Sequence, residues 1–187
     1  MTSRGMLFND EMVRAVRSGQ KTQTRRVMKH QLVVPPQEIQ HVSAANWRWF
    51  SGTNVGQVHC PYGVPGDELW VRECWSHFKQ PAGDSGIKPK LMNPNYDWEL
   101  RFRADGVEPS GGRWRPSIHM PRWASRTSLL IKDVRVERTQ DITEEDAQAE
   151  GFETREQFIG LWDTTVKPGL FFHDDPWVWV IEFEVKK

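Results

Sequence analysis

Residues 8–26, FNDEMVRAVRSGQKTQTRR, enter a helix and leave it abruptly, and the way the chain leaves decides how the rest is read. Asn9 is a favourable N-cap, Asp10 and Glu11 suit the positive end of a helix dipole, and Gly19 fits the left-handed residue that stops a helix. The pattern predicts a short helix ending at Gly19, with Lys21, Arg25 and Arg26 gathered just past its exit. If this segment were a strand, Lys21 and Thr24, three residues apart, would face opposite ways, so they converge only if the chain turns or stays helical here. A turn with several backbone N–H groups beside Lys21, Arg25 and Arg26 can hold a phosphate or polarise a carbonyl. The same cations also serve as a basic helix end complementing the dipole, and composition leaves both readings open.

Working outward, strands are predicted at 55–59, 68–75, 98–104, 128–138 and 177–185, separated by Pro- and Gly-rich turns. Two helices interrupt them late in the chain. DITEEDAQAEG (141–151) starts from a Thr143 cap and stops at Gly151, and TREQFIGLWD (154–163) opens with a Thr154/Gln157 capping box and carries Phe158, Leu161 and Trp162 on one face. Several twisted strands with few helices predict an α+β fold, a small mixed β-barrel with short flanking helices. The chain reads as a single domain over 1–187 with irregular insertions near 80–97 and 105–117.

No run approaches the roughly 18 apolar residues of a membrane span, and the polar start MTSRGMLFND lacks the apolar segment of a secretory signal. The expectation is a cytoplasmic protein with no membrane partner. The two cysteines, Cys60 and Cys74, read as reduced thiols. Lys and Arg balance Asp and Glu, 25 against 25, so attraction of the whole molecule to a polyanion does not follow. The charge is unevenly spread, however. Residues 1–30 hold seven basic residues against Asp10 and Glu11, 109–132 holds five cations and no acid, and 133–163 holds ten acids against three bases. Two basic segments meeting in space would make a local positive site for a small anionic or nucleotide-like ligand; solvated faces are the plainer alternative.

In GDELWVRECW (66–75), strand alternation puts Glu73 on the face of Leu69, Val71 and Trp75. A carboxylate there costs several kcal/mol unless it is paired or protonated, so Glu73 is either half of a structural ion pair or a functional acid. GRWRPSIHMPRWASR (112–126) interleaves arginines with Trp114, His119 and Trp123. Cations for phosphate and flat rings for stacking, here Arg122, Trp123 and Arg126, are what a single-stranded RNA needs, although most of the ten Trp are expected in the core. His59, Cys60, Cys74 and His77 lack the usual paired zinc spacing, so neither a metal nor another cofactor is expected.

The pattern G-x-K-x-x-T-x-R, met by Gly19, Lys21, Thr24 and Arg26, followed by PGDELWVRE, resembles the ASCH domain of the PUA-like superfamily. With CPYGVPGDELWVRECW, HMPRWASR, DITEEDAQAEG and PWVWVIEF, nearly the whole chain looks like the longer ASCH proteins of phages and prophages. The resemblance implies a PUA-like barrel with a cleft for RNA or a modified nucleoside. Some small members are amidohydrolases that deacetylate N4-acetylcytidine, and by motif position their lysine, threonine nucleophile and glutamate would be Lys21, Thr24 and Glu73, with Gly19, Arg25 and Arg26 shaping the ligand site. A non-catalytic RNA or modified-nucleotide binding module is the alternative, and a ribonuclease the third reading. The oligomeric state is not legible in the sequence.

Overall fold

The strand expected over 177–185 forms in the computed structural model, which describes residues 2–32, 38–43, 46–51, 54–78, 99–109 and 113–186. Its segment PWVWVIEF has no polar alternation, in keeping with a strand covered on both faces. Thirteen elements follow in order: β1 (Ser3–Leu7), α1 (Asp10–Ser18), β2 (Gln23–Val27), β3 (Glu38–Ser43), β4 (Asn46–Ser51), β5 (Asn54–His59), β6 (Glu68–Arg72), β7 (Trp75–Phe78), β8 (Glu99–Phe102), β9 (Ser128–Arg138), α2 (Glu144–Ala149), α3 (Arg155–Thr165) and β10 (Trp177–Val185). The fold is mixed α+β, rich in strands, with few and short helices.

The main sheet runs β1-β6-β9-β10-β2, with β1 and β6 parallel and the other neighbours antiparallel. The hairpins β3-β4-β5 and β7-β8 form two smaller sheets. Among the described residues the main sheet does not close, since its edge strands β1 and β2 are not paired with each other. It curls enough for the Arg26 guanidinium on β2 to donate to Leu7 O at the end of β1, at 2.7 Å.

β10 organises the interior. Trp179, Ile181 and Phe183 face the larger core with Met6, Phe8, Leu69 and Leu129, whereas Val178 and Val180 face a second cluster made by Ile142, Ala147, Phe158 and Trp162 from the helical layer. β2 lies beside β10 with Thr24 opposite Ile181 and Arg26 opposite Trp179, so these two share the larger core's face. Gln23, Arg25 and Val27 turn the other way, towards α2 and α3.

The helix signals hold closely. Asn9 Oδ1 accepts from Met12 N at 2.8 Å, and Gly19 ends α1 at φ 81°, a conformation that a side chain would strain. Thr143 and Thr154 cap α2 and α3. The turn after Gly19 is shorter than the sequence implies, because the chain is already a strand from Gln23. The strand expected over 68–75 breaks after Arg72 and resumes at Trp75 in another sheet, leaving Glu73 and Cys74 at the bend. β1, β3 and β4 escape sequence reading: β1 and β3 are short and largely polar and gain their order from pairing, whereas β4 carries a strand signal in Trp47 and Trp49 alternating with Asn46 and Arg48. The expected insertion near 80–97 lies outside the described residues; of 105–117, the described parts are a 3₁₀ turn ending at Asp105 and the bridge of Arg115 to Trp75. No helix among the described residues is long and apolar enough to cross a membrane.

Trp179 is 2% exposed and packs edge-on against Trp47 at 4.9 Å between ring centroids. Truncating it to Ala is expected to cost about 3–5 kcal/mol, read as a lowered urea midpoint with an unchanged slope.

Candidate functional site

Lys21 sits in the short loop between α1 and β2 and is 2% exposed, so its ammonium must find a partner inside the protein. It finds Glu150. Nζ donates to Glu150 Oε2 at 2.6 Å and to the main-chain oxygen of the same residue at 2.7 Å. Glu150 is the C-cap of α2, where the negative end of the helix disfavours an acid. Lys21 offsets that cost, and Thr22 N–H, donating to Ala149 O at 2.8 Å, satisfies a second carbonyl of the same helix end. The chain then turns away through Gly151 at φ 93°. A Cβ at Gly151 would stand 3.0 Å from Ala15 Cβ and 3.3 Å from Lys21 Cβ, so the close meeting of α1, α2 and Lys21 needs a glycine there.

Behind the pair lies Arg25, whose side chain is wholly buried. Its Nη2 donates to Glu137 Oε2 and to Asp146 Oδ2, both at 2.9 Å, and its Nη1 lies 3.6 Å from Glu150 Oε1. Glu150 is thus gripped on one oxygen by Lys21 and faced on the other by Arg25. Arg135 extends the network by pairing with Glu137, Glu182 and Asp146. Burial pushes the Lys21 ammonium below its ordinary value; Glu150 opposes that shift, while Arg26 and Arg25 add to it.

The pair opens onto a cleft of about 320 Å³ between the outer edge of β2, the Leu7–Asn9 junction and α3. Four consecutive residues, Thr24 to Val27, line it, although they alternate between sheet faces, in keeping with a strand edge that is free among the described residues. Phe183 N donates to Thr22 O and Met28 N to Trp177 O, so the register turns the main-chain groups of Gln23, Arg25 and Val27 to that outer edge. Phe152, Phe158 and Trp162 supply an apolar aromatic wall. Arg26 lies 5.4 Å above the Phe8 ring, and its Nε is covered with no hydrogen-bond partner among the described residues. Cations, a hydroxyl, an acid–base pair and flat apolar walls face one volume, which suits a small polar heterocycle bearing a carbonyl.

The structure therefore brings Lys21, Thr24, Arg25 and Arg26 together, with Gly19 ending the helix that precedes them. It does not bring Glu73. That carboxylate is fully buried and held at both oxygens by Arg126, with Nε to Oε1 at 2.9 Å and Nη2 to Oε2 at 2.8 Å. It is absent from the cleft lining and from the charges acting on Lys21. The apolar face of its strand demanded a cation, and a structural ion pair met the demand. Arg126 also donates to Asp105 and lies 3.8 Å above the Phe102 ring, so it is not free for a ligand. Arg122 pairs with Glu68 at 2.6 Å, and Trp123, 45% exposed, packs edge-on against Trp75. Neither lines the cleft, and the arginines expected to contact RNA are neutralised by acids distant in sequence.

Glu150 is the residue that sequence reasoning missed. The available signal was an acid at the wrong end of a helix, immediately before its stop glycine, a placement that requires a compensating cation.

These features define a strand-rich α+β protein with a polar cleft on a sheet edge. No family model and no curated protein matches the chain. Among solved structures, the crystal structure of protein EF3133 from Enterococcus faecalis V583, described under the family model DUF984, aligns over 99% of this chain and 80% of its own, with 14% sequence identity and a TM-score of 0.40. This distant likeness assigns no residue a role.

Removing Glu150 strands a buried ammonium. Glu150→Gln is expected to cost about 3–5 kcal/mol near neutral pH. Because burial lowers the folded-state value of Lys21 below the 10.5 of free lysine, the unfolded chain binds more protons between the two values and stability rises with pH there. Without Glu150 the lowering deepens, so the deficit of the variant should shrink as pH approaches that of free lysine. Urea melts across the alkaline range measure this.

Proposed function

We propose that the chain is an ASCH-type domain with a PUA-like strand core, whose β2-edge cleft hydrolyses the exocyclic amide of N4-acylated cytidines. The supporting observation is the buried Lys21–Glu150 pair sharing one cleft with Thr24. In this reading Thr24 Oγ1 attacks the acyl carbonyl carbon and Lys21 Nζ, in the neutral amine form that burial favours, accepts its proton. Arg26 and the outward-facing N–H of Arg25 stabilise the oxyanion. The C–N bond then breaks, and the proton passes from Lys21, with Glu150 as relay, to the leaving amino group of the base. Water hydrolyses the acyl-threonine to release the carboxylic acid and restore the hydroxyl. Glu150 takes the part that the motif resemblance gave to Glu73. The aromatic wall of Phe152, Phe158 and Trp162 accommodates the base, and the charged floor discriminates for its acyl group. A binding module that reads RNA through Arg122 and Arg126 draws less support, since both arginines are already paired.

Wild-type protein is expected to release acetate and cytidine from N4-acetylcytidine. Thr24→Ala should lower kcat by at least about a thousandfold with near-native stability, and Thr24→Ser should keep part of it. Absence of turnover by the wild type, across N4-acyl cytidines of different chain length, overturns the proposal. For the pH profile, kcat/KM should fall on the acid side as Lys21 gains its proton, with a midpoint below 10.5, the value of free lysine.

A further inference from the structure

A second hollow of about 430 Å³ lies on the other side of the Leu7–Asn9 junction and shares Leu7, Phe8 and Asn9 with the β2-edge cleft. Asp10, Cys74, Arg103, Trp114 and Pro116 wall it. We propose that this hollow is a subsite for a second flat heterocycle, the base adjoining the one held in the cleft, so that the ligand is of dinucleotide size. The proposal rests on the reading of the first cleft as a nucleoside site, and three observations carry it further.

The first is an acceptor without a donor. Arg103 Nε donates to Asp10 Oδ2 at 2.5 Å, whereas Asp10 Oδ1 is covered and has no hydrogen-bond partner among the described residues. A buried carboxylate oxygen left unpaired is costly; because this one is covered, the exocyclic amino group of a base satisfies it only where the wall opens to admit that group. Because the Asp10–Arg103 pair is neutral as a unit, the hollow suits an uncharged heterocycle better than a phosphate.

The second is an aromatic face without a partner. Trp75 and Trp123 pack edge to face at 5.8 Å, but Trp114, half-buried in the wall of the hollow, has neither a ring nor a guanidinium stacked on it among the described residues. A base stacking on an aromatic side chain gains about 1–3 kcal/mol.

The third is a cation at the ridge between the two hollows. Arg26 lies over Phe8, which lines both, and among the described residues it has no carboxylate partner. A phosphodiester crossing the ridge would meet it.

Equilibrium binding separates this proposal from the hydrolytic one. The probes are N4-acetylcytidine and a cytidine dinucleoside monophosphate that carries it, titrated against the wild type, Trp114→Ala and Trp114→Phe, with acetate release followed on the same samples. The dinucleotide should bind the wild type about tenfold more tightly than the nucleoside, the size of one base–aromatic stack. Trp114→Ala should erase that preference while leaving nucleoside affinity and turnover unchanged, and Trp114→Phe should keep most of it. Equal affinity of both probes for the wild type, or a full preference surviving in Trp114→Ala, overturns the subsite even where hydrolysis proceeds. A preference that behaves as expected without acetate release upholds the subsite and overturns hydrolysis. Binding of neither probe overturns both.

Discussion

The buried ion pair between Lys21 and Glu150 constrains everything around it. Desolvating two charges costs several kcal/mol each, and their attraction recovers this only if the geometry is tight and the remaining donors and acceptors are served. The protein meets the condition in part with a second layer of charge, since Glu150 Oε1 faces Arg25 Nη1 at 3.6 Å without a hydrogen bond. Arg25 faces Glu150 from behind and binds Glu137 on β9 and Asp146 on α2, and Arg135 closes the ring. Position follows from charge balance: β2, β9 and α2 are held at the spacing their side chains need, and the cleft is the gap left beside them.

The sheet explains why that gap faces outward. β10 is covered on both faces, and among the described residues β2 beside it is the last strand, with one edge unpaired. An unpaired edge is ordinarily a hazard, since its free main-chain groups recruit other strands. Here α3 and the Leu7–Asn9 junction flank it, which shields the edge from a neighbouring chain while leaving room for a small molecule. A second chain of ion pairs stands apart from this centre. Glu73, Arg126, Asp105 and Arg17 link the bend after β6 to α1, and their work is structural.

What could be read in advance was whatever depends on neighbours in sequence. Asn9, Gly19, Thr143 and Thr154 announced the helix ends, and 177–185 declared itself as a strand. Lys21 and Thr24 were singled out by their motif spacing. The burial of Glu73 and its need for a cation also followed from strand alternation. Which cation met that need did not, because Arg126 lies 53 residues away and its choice depends on how β6 leaves the sheet. Glu150 was harder still, at 129 residues from Lys21. β1 and β3 carry too little apolar pattern to declare themselves before they pair, whereas β4 did offer the alternation of Trp47 and Trp49 with Asn46 and Arg48. Local chemistry was legible; partnerships closed over long loops were not.

Those long loops also impose an order in time. β2 gains its sheet neighbour only when residues 177–185 arrive, and α2, with six residues, is too short to persist as an isolated helix. On a chain emerging from the ribosome with its N-terminus first, Lys21 therefore spends most of synthesis hydrated and ordinary. Its altered basicity is a property of the finished fold, acquired in the closing step together with the cleft. A partly made chain carries every residue of the motif and none of its chemistry.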